Sequence, residues 1–140
     1  MADAAIPLPD FTAAGEDALR FAVGAARVAA DHKCEDVVVL DLRGVSTVAD
    51  VFVVATGTSD RQMSAVLSHI EDYARSVGRS PFRVAGAREG KWALADYVDV
   101  VVHVLDHEHR AFYDLESLWG DAPRVHWSPA PNGTPPPPDA

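Results

Sequence analysis

Apolar and polar positions alternate along this chain in two clean periods. Glu16 to Lys33 carries Leu19, Ala22, Val23, Ala26 and Ala30 at helical spacing, which predicts a helix. Val37 to Leu42 is a short apolar run and predicts a buried strand. A turn at Arg43-Gly44 leads to a second strand, Val48 to Thr56, with the strongly β-forming core Val51-Phe52-Val53-Val54. Ser59-Asp60-Arg61-Gln62 then has the form of a capping box, in which the Ser59 hydroxyl and the Gln62 side chain satisfy each other's backbone N–H groups. Met63, Val66, Leu67, Ile70 and Val77 form the apolar stripe of the helix behind it, and Gly78 suits its left-handed end. Phe82 to Ala85 predicts a third strand, Gly86 to Gly90 a turn, Lys91 to Asp96 a fourth strand and Val98 to Leu105 a fifth. Asp106 is placed to cap a last helix, Glu108 to Trp119, on which Phe112, Leu115 and Trp119 share a face. Gly120 stops that helix and Pro123 prevents its return.

The order α-β-β-α-β-β-β-α implies an α/β fold, a mixed sheet of about five strands packed with helices. The segments outside this pattern are a flexible N-terminal arm, residues 1–14, and a Pro-rich tail, 128–140, expected to be disordered or polyproline-like. Residues 15–127 form one α/β domain.

The fourth strand is the most informative. In Lys91-Trp92-Ala93-Leu94-Ala95-Asp96-Tyr97, alternation sets Trp92, Leu94 and Asp96 on one face and Ala93, Ala95 and Tyr97 on the other. The small alanines suit close packing under helices, which would leave Trp92 and Leu94 outside to anchor a partner. Tyr97 is large and lies on the alanine face, so parity alone leaves open which face is inside.

Charge narrows the partners. Twelve basic against twenty-one acidic residues give a formal net charge of −9. That argues against nonspecific nucleic-acid binding and suits docking on a basic protein. A single cysteine, Cys34, excludes an internal disulfide and a cysteine-based zinc site, and fits a reducing, cytoplasmic compartment. No signal peptide opens the sequence and no apolar stretch approaches the ~18 residues that span a bilayer.

Tested for catalysis and metals, the residues give little. His103, His107 and His109 crowd together, but His103 is on a strand, while His107 and His109 diverge by about 200° at a helix start. Solvated helix-start histidines are preferred to a metal site. Asp96 and Asp99 lack the Asp-x-Asp spacing that holds Mg²⁺ for nucleotidyl transfer, and Asp41 and Asp50 lie on separate strands. Asp60 serves a helix start. The turn Thr56-Gly57-Thr58-Ser59 lacks the glycines and lysine of a phosphate-binding loop, and no nucleophile frame surrounds Ser59. Cys34 is near a helix end, where the dipole raises a thiol's pKa.

Four motifs carry a resemblance over Ala18 to Ala122. They are Asp36-Val37-Val38-Val39-Leu40-Asp41, the run from Val51 to Gln62, Gly90 through His103, and Phe112-Tyr113-Asp114-Leu115-Glu116-Ser117-Leu118-Trp119-Gly120-Asp121-Ala122. In these the chain resembles the Iojap-like, or ribosomal silencing factor S, family. The resemblance implies a nucleotidyltransferase-like α/β fold with no known catalysis, cofactor or metal. It implies binding to the large ribosomal subunit through its L-fourteen protein, where the domain sterically blocks joining of the small subunit and lowers translation under nutrient limitation. The family's partner contacts carry over onto Trp92, Leu94, Asp96 and Tyr97, and further onto Asp99 and His103. Val98 stands where the family commonly has a small residue, and Ala93 and Ala95 replace bulkier aliphatics. Two other readings stay open: a divergent metal-dependent nucleotidyltransferase, and a homodimer formed through the same face when the protein is unbound.

Overall fold

In the computed structural model, residues 13–47, 49–86, 91–114, 117, 119–120 and 122–127 are described. Their elements are α1 (Ala13–Asp31), β1 (Glu35–Asp41), β2 (Val51–Thr56), α2 (Asp60–Ser76), β3 (Arg83–Ala85), β4 (Trp92–Asp96), β5 (Val100–Leu105), α3 (His107–Tyr113) and β6 (Arg124–Val125). The expected arm before Ala13, the turn over residues 87–90 and the tail from Ser128 lie outside the described residues.

The strands form one mixed sheet in the order β3-β4-β5-β2-β1-β6. β1 and β2 pair antiparallel, as do β3 with β4 and β4 with β5. β2 and β5 are parallel at the centre, in register from Val51 with Val100 to Thr56 with Leu105. A parallel pair needs a long crossover, and α2 with β3 and β4 supplies it. Every residue of β2 and β5 is buried, in keeping with their continuous β-branched sequence.

The sixth strand is an addition to the sequence reading. β6 is two residues long, pairs Val125 with Val39 and Arg124 with Leu40, and follows a bond from the Asp41 N–H to the Pro123 carbonyl at 2.9 Å. The last helix is also shorter than its periodicity predicts. Asp114 takes a left-handed conformation (φ 48°) with its N–H on the Arg110 carbonyl, so α3 ends at Tyr113. Phe112, expected on a shared face with Trp119, is 77% exposed.

The capping box forms with one change. Ser59 Oγ accepts from the Gln62 N–H at 3.0 Å, but Gln62 Oε1 accepts from the Thr58 N–H rather than from that of Ser59. Its Nε2 donates to the His32 carbonyl at 2.8 Å, tying the start of α2 to the end of α1. Ser59→Ala is expected to cost about 1 kcal/mol, read as a lower urea midpoint. The far end of α2 is a full Schellman closure: Gly78 (φ +81°) donates to the Arg75 carbonyl and Arg79 to that of Ala74.

The sheet separates two apolar clusters. On one side α1 and α2 pack on Val39, Val51, Val53, Ala55, Ala93, Ala95, Val100, Val102 and Val104. On the other, Leu40, Phe52, Val54, Val101 and Leu105 pack with Trp92, Leu94 and Trp119. The alanines therefore mark the inside of β4: a larger side chain there would push α2 off the sheet.

The β4–β5 hairpin turns through two residues, Val98 and Asp99, closed by the Tyr97 N–H on the Val100 carbonyl at 2.8 Å. Val98 has φ 78°, and its side chain is 64% exposed. A positive φ at the first turn position is glycine's place, and a β-branched residue is strained there. The Asp96 carboxylate steadies the turn by accepting from the Val98 N–H at 2.8 Å. Val98→Gly loses little buried area and is expected to stabilise the protein by about 1 kcal/mol, the strain relieved exceeding glycine's extra unfolded-chain entropy. A urea midpoint equal to or below wild type would contradict this.

Candidate docking surface

Trp92, Leu94 and Asp96 project from β4 on the sheet face away from α1 and α2, and each is half-buried. Leu94 lies directly across from His103 on β5, with Trp92 one step along the strand opposite Leu105. The Trp92 indole N–H donates to His103 Nδ1 at 3.2 Å, which fixes the ring over the sheet. Tyr113 leans on the outer side of the indole, with ring centroids 4.6 Å apart, and Phe112 meets Tyr113 edge-on at 4.9 Å. Phe112 and Tyr113 are exposed, so three aromatic rings and Leu94 make one apolar patch at the edge of α3.

Sequence reasoning placed Trp92 and Leu94 together but missed Phe112 and Tyr113. It ran the helix on to Trp119 and set Phe112 on one face with Leu115 and Trp119. The available signal was Asp114, a residue that tolerates the left-handed conformation, directly after the two rings.

His103 is the buried support of this patch. Burial drives its pKa down to about 4, opposed by the charge of Asp96, so the imidazole is neutral near pH 7. Accepting at Nδ1 places the proton on Nε2, which is buried with no hydrogen-bond partner among the described residues. Phe52 packs edge-on against the ring at 4.5 Å.

Two of the expected contact residues point elsewhere. Tyr97 is 5% exposed on the helix-covered face, edge-on to Phe21 at 4.8 Å. Burial pushes its pKa up to about 12. Tyr97 follows Ala93 and Ala95 on the helix-covered face, so its ring packs in the core and is not part of the open patch. Asp99 turns to the same layer. Its carboxylate binds Arg79 at 2.8 and 3.2 Å, and Arg79 also holds Asp17 at 2.7 Å while lying over the Phe21 ring.

The other candidate groups have partners of their own. His107 pairs with Glu35 at 2.9 Å and His109 with Asp106 at 2.8 Å. Among the described residues, no group of three or more His, Cys, Asp or Glu is placed to hold a metal ion. Burial opposes ionisation of Asp41, but the hydrogen bonds and charge of Arg43 hold it below the usual carboxylate range. The Thr56 hydroxyl at the turn before α2 accepts from Arg110 at 2.8 Å. Burial pushes the Cys34 thiol up, against a 3.5 Å contact from Gln62. No helix among the described residues is long and apolar enough to cross a membrane.

Comparison with known proteins identifies relatives of the whole domain. The sequence profile described as "Ribosomal silencing factor during starvation" matches residues 16–138. The ribosomal silencing factor RsfS of Bacillus subtilis is 43% identical over 99 residues, 71% of this chain and 84% of that protein. The chloroplast protein Iojap of Zea mays is 34% identical over 120 residues, 81% of this chain and 51% of the plant protein. A crystal structure from Chromobacterium violaceum superposes with a TM-score of 0.67 at 30% identity, covering 81% of this chain and 92% of that one. Another, from Bacillus halodurans, gives 0.65 at 36% identity, covering 79% and 98%. The profile spans nearly the whole domain and the bacterial relative is matched over most of its length, so this chain belongs to the ribosomal silencing factor family.

Proposed function

We propose that this protein represses translation by binding the large ribosomal subunit through its L-fourteen protein and blocking the approach of the small subunit. The contact is made by Trp92 and Leu94, with Asp96 at its rim and the neutral His103 fixing the indole from below. The half-open aromatic patch on the sheet face that α1 and α2 leave bare is the observation that carries this reading. The net charge of −9 supports it, since an acidic domain is drawn to a basic ribosomal protein. The blocking is steric: a rigid domain fills space that the other subunit needs.

The test is sedimentation of the purified protein with separated subunits, followed by addition of the missing one. Co-migration with the large subunit alone, and fewer whole ribosomes after mixing, is the expected result. Co-migration without any loss of joining would retain the binding and reject the block. Absence of co-migration would reject both.

A further inference from the structure

The helix layer carries a second surface feature, remote from Trp92. A cavity of about 720 Å³ opens along the outer side of α1, reaching from Leu19 and Val23 across to Phe21 and the end of α2 at Tyr73. The Phe21 and Tyr73 rings are stacked 5.6 Å apart and 2° from parallel. Gly24 makes this possible, since a Cβ there would collide with the Tyr73 hydroxyl. The open lining is thus aliphatic on one wall, with the half-buried Tyr73 ring on the other and the buried Phe21 behind it.

The end of the described chain is fastened to the rim of this cavity. The Trp127 indole N–H donates to the Val37 carbonyl at 2.9 Å. The Trp127 carbonyl accepts from Arg27 Nε at 2.8 Å, and Arg27 itself lines the cavity. Thirteen residues follow in the sequence, Ser128 to Ala140, and six of them are proline.

We propose that this Pro-rich segment is the occupant of the α1 groove: it crosses the outer face of the helix as a polyproline strand and sets its prolines against Leu19, Val23 and the Tyr73 ring, which the buried Phe21 backs. Aromatic-walled grooves suit such strands, because proline rings are apolar and the extended backbone has little conformational freedom left to lose. The reach is sufficient. From Arg27 to Glu16 the helix rises roughly 16 Å at 1.5 Å per residue, which about five or six residues of polyproline cover at roughly 3.1 Å each. Tethering at Trp127 makes the encounter intramolecular, at an effective concentration on the order of millimolar, so weak contacts are enough. Charge favours the same occupant. Asp139 is the one charged residue of the segment, while the acids lining the groove, Glu16 and Asp17, are paired with Arg43 and Arg79. Arg20 and Arg27 then set the field along the outer face of α1.

The test uses the full chain with a nitroxide on Asn132→Cys. Buried Cys34, its thiol pushed up by burial, reacts far more slowly than the new cysteine. The methyl resonances of Leu19, Val23 and Val28 are expected to lose most of their intensity, those of Leu94 and Val101 little. Adding Val23→Glu should abolish the effect while Trp127 stays anchored. Uniform or absent broadening would overturn the proposal. So would broadening only in a mixture of labelled and isotope-enriched chains, which would make a second copy the occupant. Loss of the same methyl signals to a label on Ala4→Cys but not on Asn132→Cys would give the groove to the N-terminal segment instead and overturn it equally.

Discussion

Replacing Trp92 with alanine is expected to weaken binding to the large ribosomal subunit at least about thirtyfold, on the order of 2 kcal/mol. The indole is the largest side chain of the patch, and its position is set from two sides, by His103 below and Tyr113 beside it. A rigid aromatic at the centre of a contact gives up little conformational freedom on binding and excludes water over a wide area, which is why truncating it is costly. Some of the loss will also appear in stability, because removing the indole N–H leaves His103 Nδ1 buried without its donor. Two further variants separate these effects. Trp92→Phe keeps most of the apolar area and loses the bond to His103. Leu94→Glu leaves that bond intact and places a carboxylate in the patch. Affinity is measured by titration against purified large subunits, with far-UV circular dichroism as the check on folding. A folded Trp92→Ala protein that binds as tightly as wild type would remove this face from the interface.

The second large effect is acid lability. Lowering the pH from 8 to 5 is expected to remove about 2 kcal/mol of stability through His103 alone. In the folded protein this imidazole titrates at about 4, mainly because it is buried. In the unfolded chain it titrates at about 6.5. Between those values the unfolded state binds the extra proton, so the stabilisation is complete above about pH 6.5 and is lost as the pH falls towards 4. Asp41 and Asp106 do not confuse the window. Hydrogen bonds from Arg43 and His109 hold them below the ordinary carboxylate range despite burial, so their contributions fail only at more acid pH. Urea midpoints at pH 8 and 5 should therefore diverge in wild type and converge in His103→Phe. An equal drop in both proteins would assign the lability to other groups. In the folded protein the imidazole takes its proton only near pH 4, where Nδ1 becomes a donor and can no longer accept from the Trp92 indole, so subunit binding should hold from pH 8 to 5 and weaken through this group only as the pH approaches 4.

Much of this was legible in the sequence because local chemistry and global packing agree there. The parity of β4, the Ser59 cap, Gly78 at the end of α2 and the continuous runs of β2 and β5 each mean the same thing alone and in context. Parity could not say which face of β4 is covered. That is decided by α1 and α2, which require the small Ala93 and Ala95 beneath them and so leave Trp92 and Leu94 outside. Tyr97 shares the parity of Ala93 and Ala95 and so belongs to the inner face, where Phe21 of α1 completes its contact. β6 was silent because two residues carry no period and its pairing with β1 joins positions far apart in sequence. Phe112 was misread because helical spacing continues past the point where Asp114 turns the backbone out. The fastening of Trp127 to Val37 and Arg27 bridges 90 and 100 residues and leaves no local trace.

The position of β5 has a consequence for the speed of recognition. It is hydrogen-bonded on both sides, to β2 and to β4, and all six of its residues are buried. Its amides should exchange with solvent only when the whole domain opens, which makes it among the slowest-exchanging segments of the chain. His103 stands on this strand and Trp92 rests on His103. On the proposed docking reading, the indole is therefore already held in place before a partner arrives. Association should follow a single encounter step, set by electrostatic attraction and falling with added salt, with differences in affinity among variants of this patch expressed chiefly in how long the complex lasts.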